Sequence, residues 1–193
     1  MVELYILDVD GTIVEPMGTD VYPEVIDRLK RLETPYALAS NQGGVGMRVW
    51  AERDRAFAQW LKSRGLEIER LFCQEDVDAR MDLIVSNLVK GGLPKPVEVL
   101  VSFAYRNRLG QWGPSPDKAT GDPRWRQDWR KPAPGMNLEI LNRTSVRIPR
   151  NVLCVGDKYN DRSAAENAGC AFQSALQFFG PRVDPALIIR KPY

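Results

Sequence analysis

Apolar runs of strand length alternate with stretches of helical spacing along most of this chain. Residues 3–7, ELYIL, read as a buried strand. In residues 23–32, PEVIDRLKRL, the apolar positions 25, 26, 29 and 32 follow helical spacing, with proline in the first turn. YALA at 36–39 predicts a second strand, which opens into the polar, glycine-rich SNQGGVG. The spacing predicts a helix over 49–64, stopped by Gly65, and another over 78–90, stopped by a Gly-Gly pair. VEVLVSF at 97–103 is a further strand. Residues 132–142 begin with proline and glycine and turn helical at MNLEILN. VLCV at 152–155 is a strand, 161–168 a short helix ended by Gly169, and 170–173 fit a last short strand.

Strands alternating with helices predict an α/β fold, with a parallel sheet covered by helices on both faces. No internal repeat is visible, and the length fits a single domain over 1–193. One stretch breaks the pattern: residues 106–131, RNRLGQWGPSPDKATGDPRWRQDWRK, are rich in Gly, Pro, Trp and Arg and have no periodicity. A loop of that length inside a compact domain is usually functional or mobile, so 106–130 is a candidate cap or specificity loop.

Composition changes this picture in only a few places. A formal net charge of +2 does not by itself imply nucleic acid or a membrane surface. No apolar run reaches bilayer-spanning length, and the first residues lack the basic-then-apolar profile of a secretory signal. Cys73, Cys154 and Cys170 are widely spaced among apolar residues, which suggests reduced core cysteines and a cytoplasmic location. The chain has no histidine. That excludes a Ser-His-Asp triad, a histidine general base and most catalytic zinc sites.

Ligands of open parallel sheets bind beyond the carboxyl ends of the strands, and polar clusters fall at three such ends. Asp8 and Asp10 follow the first strand, Ser40 and Asn41 the second, and Asp157 and Asp161 follow VLCV, while Lys131 opens the helix after the loop. Convergent carboxylates suit a hard cation such as Mg²⁺, which removes their mutual repulsion. A cation beside an aspartate, a serine, a lysine and loop amides would suit a phosphate group. One carboxylate could attack phosphorus while its neighbour passes protons.

In these residues the chain resembles the haloacid dehalogenase-like (HAD) phosphatase superfamily. DVDGT resembles its first motif, LASN the second, the lysine of RKPAPGM the third and VGDKYND the fourth; they occur in order across residues 8–161. The resemblance implies a Rossmann-like sheet and a Mg²⁺-dependent phosphatase. It makes Asp8 the nucleophile and a metal ligand. Asp10 becomes the general acid and base, with its backbone carbonyl on the metal. Ser40, the Asn41 amide and Lys131 would hold the phosphoryl group. Asp157 would bind the metal, and Asp161 would bind it or orient Lys131. Aspartate at position 10 is the phosphatase-type residue, which argues against dehalogenation.

SNQGGVG and RKPAPGM are similar to the branch containing histidinol-phosphate phosphatase, heptose-bisphosphate phosphatase and the polynucleotide 3′-phosphatase domain. That likeness makes Arg130 and Lys158 substrate-binding candidates. The sugar and histidinol enzymes carry a Cys/His zinc loop before the third motif; residues 106–130 contain no cysteine and no histidine, so no zinc is expected. The expected substrate is a small phosphorylated metabolite, a sugar or nucleotide phosphate. The alternatives are a polynucleotide 3′-phosphatase and a non-catalytic binding module on the same fold.

Bland readings stand beside several of these residues. Ser40 and Asn41 could cap a helix, and so could Asp161. Gly43, Gly44 and Gly46 miss the GxGxxG spacing and read as a plain turn. Trp50, Phe57, Trp60 and Leu61 lie at helical spacing and read as core. Trp112, Trp125 and Trp129, interleaved with Arg106, Arg108, Arg124, Arg126 and Arg130, fit either a structural plug or a stacking platform for nucleic-acid bases.

Overall fold

A computed structural model of the chain describes residues 1–107, 109–112 and 121–181. Five strands form one parallel sheet: β1 (Leu4–Leu7), β2 (Tyr36–Asn41), β3 (Val99–Ser102), β4 (Val152–Gly156) and β5 (Ala171–Ser174). Their order across the sheet is β3-β2-β1-β4-β5. Leu7 lies opposite Leu38 on one side and Val155 on the other, so β1 is the central strand. The chain leaves β1 toward β2 and leaves β4 toward β5. The crevice between β1 and β4 is therefore where the topology switches direction, the usual ligand position in such sheets.

Alternation along the strands divides the core in two. Tyr5, Leu7, Leu38, Val101 and Val155 face one side, packing with α1 (Pro23–Lys30), α4 (Gln74–Lys90) and α7 (Ala175–Phe179). Leu4, Ile6, Ala37, Ala39 and Cys154 face the other, against α5 (Gly135–Arg143) and α6 (Tyr159–Asn167). The α/β sandwich expected from the sequence is thus present. α4 contributes Val77, Met81, Ile84 and Leu88, four buried positions on one helical stripe.

The expected single helix over 49–64 is instead two helices, α2 (Gly44–Arg53) and α3 (Arg55–Ser63). Asp54 separates them in an extended conformation, and its carboxylate accepts hydrogen bonds from the backbone N–H groups of Ala56 and Phe57. An aspartate that caps a new helix competes with continuing the old one. α2 also begins inside the stretch read as a plain glycine turn. Gly46 lets this helix lie against the loop after β3, because a Cβ there would come within 2.2 Å of the Phe103 carbonyl oxygen. Gly46→Ala is therefore expected to lower stability by about 1–3 kcal/mol through overpacking. Urea unfolding measures this, and an unchanged midpoint would contradict so close a contact. Trp50, Phe57, Trp60 and Leu61 form a small core cluster with Tyr105, in agreement with the core reading.

In the loop before α5, the described residues favour the plug over the platform. Trp129 is buried, and its indole N–H donates to the Val101 carbonyl at 3.0 Å. Trp125 packs edge-on against Phe103, with ring centroids 5.4 Å apart. Trp112 is half-buried and bridges Arg106 through its backbone. Arg108 and residues 113–120 lie outside the described residues. Cys154 and Cys170 are buried free thiols, but Cys73 is only half-buried. It stands at the start of α4, where its N–H donates to Asp76, so the core assignment fails for this cysteine.

Candidate active site

The residues of the four motifs meet at the β1/β4 crevice. Asp8 leaves the end of β1 and is almost fully buried. Its Oδ1 lies 2.6 Å from Lys131 Nζ, and its Oδ2 accepts from the Thr12 hydroxyl at 3.1 Å. Lys131 Nζ also lies 2.5 Å from Asp161 Oδ1 and donates to the Ala39 carbonyl at 2.9 Å. One buried ammonium therefore bridges two buried carboxylates. Desolvation pushes the Asp8 carboxyl up to about 6, against the pull of Lys131. Burial also disfavours the Lys131 ammonium, but the charges of Asp8 and Asp161 reverse this and hold its pKa above the ordinary lysine value.

Lys131 is fixed from its backbone as well. The Asn41 side chain donates to the Lys131 carbonyl at 2.9 Å and accepts from its N–H at 3.1 Å. That pairing ties the end of β2 to the third motif across 90 residues of sequence. Ser40 is buried beside it, and its hydroxyl accepts from Gln42 Nε2 at 2.8 Å.

Asp10 sits in a different environment from Asp8. Its Oδ1 receives Arg80 Nη2 at 2.6 Å and the Met17 N–H at 3.0 Å. Its Oδ2 receives Gln42 Nε2 at 2.7 Å and Arg80 Nη1 at 3.3 Å. Burial alone would raise this carboxyl. The hydrogen bonds from Arg80, Met17 and Gln42, together with the Arg80 charge, hold it below the usual carboxylate range.

Asp8, Asp157 and Asp161 offer carboxylate oxygens that all lie within 4.8 Å of one another. An all-oxygen anionic set of this kind fits a hard divalent cation. Asp161 serves two further purposes: it pairs with Lys131, and its Oδ2 accepts the Lys158 N–H at 3.0 Å at the start of α6. Asp161 is thus in contact both with Lys131 and with the first backbone N–H of the turn before α6. Lys158 itself is exposed, with its ammonium 3.7 Å from Asp157 Oδ2. The Arg130 guanidinium packs against Gly43, where a Cβ would fall 2.6 Å from its Nη1. That Nη1 is buried with no hydrogen-bond partner among the described residues. Arg124 and Arg126 of the same loop differ. Arg124 pairs with Asp122 at 2.8 Å and Asp78 at 3.3 Å, and Arg126 pairs with Asp128.

Sequence reasoning missed Gln42 and Arg80. Gln42 follows directly on the Ser40–Asn41 pair and is buried. Arg80 lies three residues after Val77 and four before Ile84, so it falls on the buried stripe of α4. An arginine on such a stripe is a visible signal, because a buried guanidinium needs a partner.

A profile of the HAD-hydrolase-like family matches residues 128–174, which run from the third motif through β5. No curated protein matches the chain. Among solved structures, a protein of Mesorhizobium loti assigned as a HAD-like phosphatase superposes with a TM-score of 0.57 at 23% identity, covering 90% of this chain and 71% of that one. The fold is HAD-like. Two lower-scoring matches are a 4-nitrophenylphosphatase of Thermotoga maritima and a glycerol phosphate phosphatase of Mycobacterium tuberculosis solved with magnesium. The first has a TM-score of 0.42 and 16% identity, covering 100% of this chain and 91% of that one. The second has 0.40 and 16%, covering 88% and 67%. The family match is confined to residues 128–174, and the structural likeness is one of fold. Among the described residues, no helix is long and apolar enough to cross a membrane.

Proposed function

We propose that this protein is a Mg²⁺-dependent phosphomonoesterase that acts on a small phosphorylated metabolite, a sugar or nucleotide phosphate, through an aspartyl-phosphate on Asp8. The observation that carries this reading is the split between two neighbouring carboxylates. Asp8 is buried against Lys131, whereas Asp10 is held by Arg80, Gln42 and the Met17 N–H. Lys131 beside Asp8 favours its ionised, nucleophilic form, and Asp10, whose Oδ2 is linked through Gln42 to the Ser40 hydroxyl, is the neighbouring group that can carry a proton.

In the first step an Asp8 oxygen bonds to phosphorus while the ester P–O bond breaks, and Asp10, which must first take up a proton from solvent because Arg80 keeps it ionised, passes that proton to the departing alcohol. In the second, water attacks phosphorus, the bond from phosphorus to Asp8 breaks, and Asp10 takes a proton from the water. Lys131 stabilises charge on the transferring phosphoryl group, and Ser40 and the Asn41 amide orient it. Asp8, Asp157 and the Asp10 carbonyl, with Asp161 directly or through water, would hold Mg²⁺, which supplies further neutralisation of the phosphoryl oxygens. The buried Nη1 of Arg130, without a partner among the described residues, supports a role for this arginine in binding the rest of an anionic substrate. The finer branch likeness still rests on SNQGGVG and RKPAPGM.

The small-substrate reading is supported by the loop before α5. Trp125 and Trp129 are turned to the core, and Arg124 and Arg126 are already paired with carboxylates. A strand-gripping surface would need those rings and charges free.

Hydrolysis of 4-nitrophenyl phosphate tests the activity. Turnover is expected with Mg²⁺, to be lost in chelator and to return when Mg²⁺ is restored. Full activity in chelator would refute the metal, and no turnover under any condition would favour a non-catalytic module. Comparing a 3′-phosphorylated oligonucleotide with a 3′-mononucleotide at two salt concentrations tests the substrate class. No gain for the oligonucleotide is expected, and a large, salt-sensitive gain would make the enzyme a polynucleotide 3′-phosphatase.

A further inference from the structure

Arg80 is the most buried cation after Lys131 among the described residues, and the phosphatase chemistry outlined above leaves it without a task. It lies on α4, 70 positions from Asp10, and its guanidinium is shared between two acceptors. Nε and Nη2 donate to the Gly18 carbonyl at 3.1 and 2.8 Å, and Nη2 and Nη1 donate to Asp10. The Gly18 bonds anchor the arginine to the loop between Asp10 and α1. Two turns further along the same face of α4, Asn87 donates to the Thr19 carbonyl at 3.0 Å and pins the same loop without touching Asp10. α4 is thus the support on which that loop rests, and Arg80 is the part of the support that reaches the carboxylate.

The two Asp10 oxygens are not held alike. Oδ1 has the short Arg80 contact of 2.6 Å and the Met17 N–H at 3.0 Å. Oδ2 has the Gln42 amide nitrogen at 2.7 Å and the longer Arg80 contact of 3.3 Å. That same nitrogen donates to Ser40 Oγ at 2.8 Å, so Oδ2 is one amide group away from the hydroxyl assigned to the phosphoryl group. Oδ1 thus carries the shorter Arg80 contact, and Oδ2 lies on the side of the Ser40 hydroxyl.

We infer that Arg80 is the positioning residue for Asp10: it fixes Oδ1 and thereby presents Oδ2 to the departing oxygen of the substrate. The inference rests on the phosphatase reading and extends it to a residue outside the four motifs. Its consequence is selective. An alkyl phosphate leaves as an alkoxide unless a proton arrives, so its breakdown needs Asp10 in place. A 4-nitrophenyl phosphate leaves as a stabilised phenolate and needs the proton far less. The ratio of kcat/KM for the alkyl ester to that for the aryl ester isolates this step. Both values end at the first irreversible step, and the ratio does not depend on the fraction of enzyme that is folded.

The experiment measures that ratio, using glycerol phosphate and 4-nitrophenyl phosphate, for wild type, Arg80→Lys, Arg80→Met and Asn87→Ala. Arg80→Lys keeps a buried cation but loses the two-pronged contact. Both Arg80 variants are expected to lower the ratio by about tenfold or more, a part of the general-acid contribution. Asn87→Ala should leave it unchanged. If Arg80→Met yields no folded protein, Arg80→Lys decides alone. A loss of both substrates in step, complete or partial, would make Arg80 merely structural and overturn the inference. So would a rise in the ratio, because it would mean that Arg80 holds Asp10 away from its work. Wild-type enzyme that hydrolyses neither ester would instead refute the phosphatase reading itself.

Discussion

Asp8→Asn is expected to abolish turnover of 4-nitrophenyl phosphate, by on the order of 10⁴-fold or more, while the protein stays folded. An amide of nearly the same shape cannot attack phosphorus, and losing the nucleophile of a covalent catalyst removes the whole route. The fold survives because the surrounding charges still balance. Lys131 keeps Asp161 at 2.5 Å and the Ala39 carbonyl at 2.9 Å when one of its two carboxylates is gone. Neutralising Asp8 also removes a charge that burial disfavours. Steady-state rates and urea unfolding on the same preparation check both halves. Residual activity within about tenfold of wild type would remove Asp8 from the nucleophile's role.

Lys131→Met should damage both stability and activity. The ammonium is the cation between Asp8 and Asp161, both buried. Methionine fills a similar volume but leaves two carboxylates facing each other in a desolvated site. Breaking a buried ion pair from one side costs about 3–5 kcal/mol. The backbone clamp from Asn41 is unaffected, because it uses only the Lys131 N–H and carbonyl. The phosphoryl group would also lose a preorganised positive charge, worth about 10²–10³-fold in rate for one such donor. Urea unfolding and kcat together test this. An unchanged unfolding midpoint would mean that the two carboxylates are not held at the cost of a lysine.

The parts of this protein that local chemistry specifies were legible in its sequence. Strand β1 and its carboxylates, the polar end of β2, and the acidic turn after β4 each announce themselves within a few residues. Their position at one end of a parallel sheet then follows from alternation alone. Helix boundaries were less legible. Asp54 looks like an ordinary helix-surface aspartate until its carboxylate is seen accepting the N–H groups of Ala56 and Phe57. Gly44 and Gly46 looked like a turn because glycine is a poor helix former; the closeness of α2 to the Phe103 carbonyl is a tertiary fact.

Contacts between distant residues were the hardest to read. Arg80 meets Asp10 across 70 positions, and nothing local pairs them. The buried stripe of α4 could still have shown that Arg80 needs a partner inside. The tryptophans of the loop before α5 were ambiguous for a related reason. An indole in a polar loop can turn inward or outward, and only the Val101 carbonyl within reach of Trp129 settles its direction.

The central claim is that phosphate passes through Asp8 on its way to water. The most direct measurement is the stereochemical course at phosphorus, with a substrate made chiral by oxygen isotopes and sulfur. Each in-line displacement inverts the phosphorus centre, so two displacements restore it. Transfer first to Asp8 and then to water predicts overall retention of configuration, whether or not the intermediate accumulates. Inversion would mean that water attacks the substrate directly, and would contradict the covalent role of Asp8.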